Sequence, residues 1–272
     1  MVAPTTSGSS SSARTVRFRI LRRDNPTAPT RWEEFDVPVE SGANIISCLQ
    51  WIAANPRTVD GRESSPVVYD SGCLEEVCGS CTMVINGRVR QSCSALIDTL
   101  LAETGTQVIT LEPMSKFPTL RDLSVDRSRF FDALKRAKAW VPVDGTYHLG
   151  GGPKESPKEQ ETRYVLSTCM SCGCCLEACP QYNLEADQAQ WPTSFVGAAV
   201  ISQIRLFNMH QTGKEHAGER LDLLLGPGGI NDCGNAQNCV KVCPKEIPLT
   251  ESIAAIGRAT TVHAIKSFFT GR

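Results

Sequence analysis

Residues 73–93 read CLEEVCGSCTMVINGRVRQSC, and two later stretches, CMSCGCCLEACP at 169–180 and CGNAQNCVKVCP at 233–244, both close on Cys-Pro. In the first stretch Cys73, Cys78, Cys81 and Cys93 stand as C-x4-C-x2-C-x11-C, the plant-type spacing in which a loop wraps a 2Fe–2S cluster. Gly79 and Ser80 are small, as such a loop requires if its backbone N–H groups are to approach bridging sulfides. Cys93 arrives from the far strand of a hairpin turned at Asn86-Gly87. The alternatives are a structural zinc site, which favours evenly paired C-x2-C knuckles, and inert buried thiols.

Cys169, Cys172, Cys175 and Cys179 followed by Pro180 form C-x2-C-x2-C-x3-C-P, a run whose fourth cysteine ligates the other of two clusters. A second run is therefore required, and Cys233, Cys239 and Cys243-Pro244 supply it, with Ala236 where its second cysteine belongs. Crosswise ligation assigns Cys169, Cys172, Cys175 and Cys243 to a 4Fe–4S cluster and leaves Cys179, Cys233 and Cys239 for the other. Three thiolates and an alanine predict a 3Fe–4S cluster. A labile 4Fe–4S cluster completed by water or an external ligand is the alternative, and zinc is the bland one. Cys174, between ligands, and Cys48, on the apolar face of an early helix, read as packed thiols.

The chain has 272 residues, enough for two compact units, and 13 cysteines gathered in groups rather than spread as disulfide staples. Lys and Arg number 28 against 29 Asp and Glu, a balance with no field to draw nucleic acid. The N-terminal MVAPTTSGSSSSAR lacks the apolar stretch of a secretory signal, which leads us to expect the reducing, cytoplasmic side of the cell membrane. The longest apolar windows, 195–207 and 253–269, are interrupted by Arg205 and by Arg258 and Lys266, too short to span a bilayer.

Alternation over 15–21 and 32–38 predicts a hairpin, and Asn44 followed by Ile45, Ile46, Leu49 and Ile52 predicts a helix stopped at Asn55-Pro56. Residues 82–85 and 89–92 form the second hairpin and 108–111 a further strand, so the first half reads as a small mixed sheet with one helix. Helical patterns follow at 196–207, 218–225 and 250–269. The predicted fold class is α+β, with a plant-ferredoxin-like β-grasp domain at 15–139 and an all-α bacterial-ferredoxin-like domain at 161–272. A disordered tail at 1–14 precedes them, and a Gly- and Pro-rich linker at 140–160 joins them. The runs at 169 and 233 have the look of a degenerate internal duplication. No catalytic triad, nucleotide loop, flavin fingerprint or histidine at ligand spacing is present, so the chain reads as a conductor with no catalytic residue of its own.

The three groups, their order, the Cys-Pro endings and Ala236 together resemble the iron–sulfur subunits of succinate dehydrogenase and fumarate reductase. Also similar are RDLSVDRSRFF at 121–131 and NCVKVCPKEIPLTESI at 238–253, while ISQIRLFN at 201–208 and the first cysteine stretch look most like the Bacillus-type, menaquinone-linked members. The resemblance implies a flavoprotein partner with covalent FAD and a membrane-anchor subunit that holds this chain peripherally and places a quinone near the 3Fe–4S cluster. Electrons would run from FAD through 2Fe–2S, 4Fe–4S and 3Fe–4S to quinone, or in reverse in a fumarate reductase. A subunit of another quinone- or disulfide-linked reductase is the rival. Ubiquinone-using members place a tryptophan-bearing stretch after the Cys-Pro where this chain has Gln181-Tyr182-Asn183, and a histidine where it has Gly234. Arg205 and Lys241 read as either cluster-proximal or solvated charges, the 184–194 insert has no assigned role, and Ile253, Ile256, Ile265 and Phe268 read as anchor contact or core.

Overall fold

The computed structural model describes residues 14–142, 154–184 and 187–271; nearly all of the expected tail, the middle of the linker and two residues of the insert lie outside them. Strands β1 (Arg14–Arg22) and β2 (Arg31–Val39) pair antiparallel, with Val16, Phe18 and Ile20 and the facing Phe35, Val37 and Val39 turned into the core. This is the period-2 pattern of a strand with one wet face. Helix α1 (Ile45–Ala54) starts at Asn44, whose side chain accepts from the Ser47 amide while Ser47 reciprocates, and it buries Ile45, Ile46, Cys48, Leu49 and Ile52. Strands β3 (Thr82–Ile85) and β4 (Arg88–Gln91) form the expected hairpin, with Asn86 and Gly87 both in the left-handed region. Strand β5 (Val108–Glu112) then inserts parallel to β1 and antiparallel to β3, giving the order β2-β1-β5-β3-β4.

This half holds more helix than its sequence pattern suggests. Helix α2 (Ile97–Thr104) and helix α3 (Ser128–Arg136) flank the small hairpin β6 (Thr119–Arg121) and β7 (Ser124–Val125). Both helices are short, eight and nine residues, and bury three residues each, too brief to declare a helical period.

A charge network locks the hairpin to the sheet. The fully buried Arg22 donates from Nε and Nη2 to Asp122 (2.9 and 3.1 Å) and from Nη1 to Glu33 (2.7 Å) and the Ser64 hydroxyl (3.1 Å). Asp122, at φ 45°, also accepts from the Arg23 and Val68 amides. The desolvation of both charges is offset only because every oxygen and nitrogen finds a partner.

Of the expected linker, the last residues are already helical: α4 (Pro157–Ser167) begins on a capping box of Ser156 and Glu159, with proline at its first position. The helices expected near 196, 218 and 250 are α6 (Ala198–Met209), α7 (Ala217–Leu225) and α9 (Leu249–Thr270), and the single-turn helices α5 (Cys174–Glu177) and α8 (Asn238–Lys241) sit inside the cysteine runs. Helix α9 packs on α6 through Leu249, Ser252, Ile256 and Thr260. Arg205 belongs to this contact, donating to Ser252 Oγ at 3.2 Å. The buried Arg220 of α7 caps the carbonyls of Ala137, Lys138 and Trp140, tying the helical half to the end of the first. No described helix is long and apolar enough to cross a membrane.

Replacing Asp122 by alanine leaves the buried Arg22 with Glu33 as its carboxylate partner, strips Nε of its acceptor, and removes a residue tolerant of the left-handed turn, so a loss of about 3–5 kcal/mol is expected. Asp122→Asn keeps the turn and should lose less. Denaturant midpoints of the full chain, followed by circular dichroism, test the order; equal midpoints for both variants and the parent would refute it.

Candidate metal centres

The first cysteine loop is built by turns that aim amides at sulfur. Leu74, Glu76 and Gly79 have positive φ, and the N–H groups of Glu75, Val77 and Cys78 donate to Cys73 Sγ at 3.3 Å while Cys73 N–H faces Cys78 Sγ at 3.4 Å. Such backbone nests stabilise anionic sulfur. The Cys73 amide and the Ser80 side chain hold the Cys78 thiol down to about 6. Cys81 and Cys93 lie together on the buried side of the hairpin against Ile46 and Tyr69, whereas Cys78, Leu74 and Val77 face outward. This centre therefore has one dry flank and one at the molecular surface.

In the helical half the crosswise grouping is visible in the cavities. Cys169, Cys172, Cys175 and Cys243, with Cys174 beside them, line one, a cavity of about 20 Å³. Cys179, Cys233, Cys239 and Ala236 line the other, of about 20 Å³. Each run thus sends its last cysteine to its neighbour's cavity. The two runs also repeat in backbone: Ser171 and Gly173 in the first, and Asn235 and Gln237 at the same offsets in the second, have positive φ, and α5 and α8 start five residues after the first cysteine of each. The expected duplication is thus written in the chain's conformation. Ala236 sits at the place held by Cys172 in the first run.

Burial pushes the thiols of Cys169, Cys175, Cys239 and Cys243 up, while the Cys174 thiol beside it draws Cys172 down to about 7. Loading buried thiols with metal accordingly releases protons. Among the described residues no three Cys, His, Asp or Glu side chains converge tightly enough for a single ion. Several sulfurs facing one cavity suit a polynuclear cluster. Cys48 and Cys174 are buried and line no further site; burial moves the Cys48 thiol up to about 11.

Sequence reasoning missed how the halves meet. A Cβ on Gly79 would lie 2.6 Å from the Met170 carbonyl oxygen and 2.9 Å from Cys172 Cα, so Gly79 serves loop-to-loop contact as well as its own turn. Arg127 spans the seam, donating to the carbonyls of Gly79 (2.7 Å), Ser80 (2.6 Å) and Cys172 (3.4 Å). Arg129 stacks 4.1 Å over the Tyr182 ring and donates to the carbonyls of Asn183 and Phe195. Both arginines lie in RDLSVDRSRFF, the one signal that could have disclosed them. Lys241 is exposed and lends only its carbonyl, to Arg88.

Comparison with known proteins agrees with this geometry. A 2Fe–2S iron–sulfur cluster binding domain matches residues 17–132 and a 4Fe–4S dicluster domain residues 165–247. The chain is 51% identical to the succinate dehydrogenase iron–sulfur subunit of Bacillus subtilis over 95% of its own length and 98% of that protein's. It belongs to the succinate dehydrogenase and fumarate reductase iron–sulfur subunits. Within that family it is 30% identical to the fumarate reductase iron–sulfur subunit of Wolinella succinogenes, over 90% of this chain and 97% of that one. A chain of the Mycobacterium smegmatis Sdh1 complex in the apo form, 20% identical, superposes with a TM-score of 0.72 over 91% of this chain and 96% of its own, which establishes the common fold. As an iron–sulfur subunit with a 2Fe–2S half and a 4Fe–4S dicluster half, the protein is an electron-transfer component.

Arg127→Ala removes three hydrogen bonds at the seam, each worth about 1.5–3 kcal/mol when the donor is charged. Calorimetry of this variant should resolve two transitions where the parent gives one. A single unshifted transition would contradict the role given to Arg127.

Proposed function

We propose that this chain is the wiring subunit of a succinate:quinone oxidoreductase, active only within that complex, carrying electrons from the FAD of a flavoprotein partner to a membrane quinone. Cys73, Cys78, Cys81 and Cys93 hold the 2Fe–2S cluster, Cys169, Cys172, Cys175 and Cys243 the 4Fe–4S cluster, and Cys179, Cys233 and Cys239 a 3Fe–4S cluster. The observation that carries this reading is the pair of crosswise cavities, one lined by Cys169, Cys172, Cys175 and Cys243 together with the packed Cys174, the other by three cysteines and Ala236. When bound, the clusters supply one-electron relay sites. The chain's own residues then set spacing and environment: Gly79 allows the first loop to touch the second, Arg127 clamps them, and the turn amides stabilise thiolate charge.

The ends of the path suit the partners. Leu74 and Val77, each at least half exposed beside Cys78, offer the flavoprotein an apolar contact at the first centre. On α9, Ile256 is core, whereas Ile265, Phe268 and Phe269 stand exposed on the face away from it, a surface suited to the membrane anchor that would keep this subunit peripheral on the cytoplasmic face. Tyr182, the aromatic that follows Cys179-Pro180, is buried under Arg129. The Bacillus-type resemblance points to menaquinone as the quinone.

Anaerobically purified native complex should contain about nine irons and ten acid-labile sulfides per chain of this subunit. Electron paramagnetic resonance should show a 3Fe–4S signal in the air-oxidised state and 2Fe–2S and 4Fe–4S signals after dithionite. Ala236→Cys supplies the fourth thiolate and should abolish the oxidised-state signal while iron rises by about one atom. Intact clusters without that signal in the parent would overturn the three-thiolate assignment, and zinc in place of iron would overturn the whole reading.

A further inference from the structure

Gln91, the last residue of β4, is 1% exposed and stands between the first cysteine loop and the second. Its amide has three neighbours: the Thr82 hydroxyl oxygen at 2.7 Å, Cys174 Sγ at 3.5 Å and Cys81 Sγ at 3.4 Å. With Cys81 as a thiol, the S–H donates to Oε1, and Nε2 faces Thr82 and Cys174. A cluster ligand is a thiolate, an acceptor only, and an amide oxygen facing it would leave two acceptors opposed in a dry seam. A half-turn of the amide resolves this with no heavy atom displaced. Nε2 then donates to Cys81 Sγ, and Oε1 accepts from the Thr82 hydroxyl, whose hydrogen turns away from the Gly79 carbonyl that Arg127 still serves, and from the Cys174 thiol, whose hydrogen turns away from Cys172. In this arrangement Thr82 and Cys174 both turn their hydrogens to the amide and fix its orientation.

We infer that Gln91 is a side-chain hydrogen-bond donor to the Cys81 ligand of the first cluster, oriented by Thr82 and Cys174, and that it raises that cluster's reduction potential. The inference rests on Cys81 being a 2Fe–2S ligand. A donor on the ligand sulfur stabilises the extra negative charge of the reduced cluster more than it stabilises the oxidised one, so the potential moves up. Because Cys174 adjoins Cys175 and Cys172, the same amide is also a direct bridge of contacts from the first centre's ligand to the second centre's loop.

The test is a redox titration of the first cluster's paramagnetic signal in the purified complex. Gln91→Leu, close in volume and without a donor, should lower the midpoint potential while line shape and iron content are kept. Cys174→Ser retains an O–H for the amide oxygen and should titrate as the parent does, whereas Thr82→Val combined with Cys174→Ala frees the amide and should lower the potential by a smaller amount. If Gln91→Leu fails to assemble, the Thr82→Val, Cys174→Ala pair carries the same expectation with Gln91 in place. An unmoved potential with the signal intact would overturn the inference alone. Absence of the 2Fe–2S signal from the parent protein would overturn the ligand assignment and the inference with it.

Discussion

The backbone of residues 170–172 occupies the space where a side chain on Gly79 would lie. That close approach is the constraint on which the rest of the molecule depends, since it brings the loop of the first cysteine group against the loop of the second. Two polar side chains are spent on the same seam. Arg127 gathers carbonyls from both loops, and Gln91 reaches a cysteine on each side. Backbone carbonyls at a loop contact would otherwise be buried without donors, a loss of about 1–3 kcal/mol for each group. A guanidinium is suited to this because its planar fork serves several acceptors at once without losing its charge.

Both halves solve one chemical problem in the same way. Thiolates around a cluster carry dense negative charge, and the chain answers with residues in the left-handed region that turn consecutive amides toward sulfur. Leu74, Glu76 and Gly79 frame such amides in the first loop and Ser171 and Gly173 in the second, and Asn235 and Gln237 repeat the second loop's left-handed positions in the third. Only Gly79 and Gly173 are glycines, so most of these turns accept the steric penalty of a side chain in return for electrostatic orientation. Packing then separates the environments. The first centre keeps an open rim, and the other two sit in cavities walled by helices α5, α6, α8 and α9.

Away from the centres, buried arginines do the joining that apolar contact does elsewhere. Arg22 ties the β6–β7 hairpin to the sheet, Arg220 ties α7 to the end of the first half, and Arg129 covers Tyr182. Each is satisfied by carbonyls or carboxylates, which makes the interior of this protein specific in register as well as closed to water. The contacts are long in sequence, such as Arg22 to Asp122, and so constrain how the halves assemble.

Local chemistry was legible in the sequence. The cysteine spacings, the Asn-Gly turn, the Asn44 cap and the alternating strands are short-range signals. Sequence periodicity also located α6, α7 and α9 within a few residues. Helices α2, α3 and α4 escaped it: the first two are too short to show a period, and α4 buries little more than Leu166, so its cap rather than its pattern defines it. The seam was decided by tertiary structure alone. Whether Gly79 serves a turn or a contact, whether Arg127 points to solvent or to carbonyls, and whether Gln91 and Cys174 meet depends on residues 45 to 93 positions apart. No local pattern records that distance, because the free energy that fixes it comes from burying polar groups against partners the chain supplies only once it is folded.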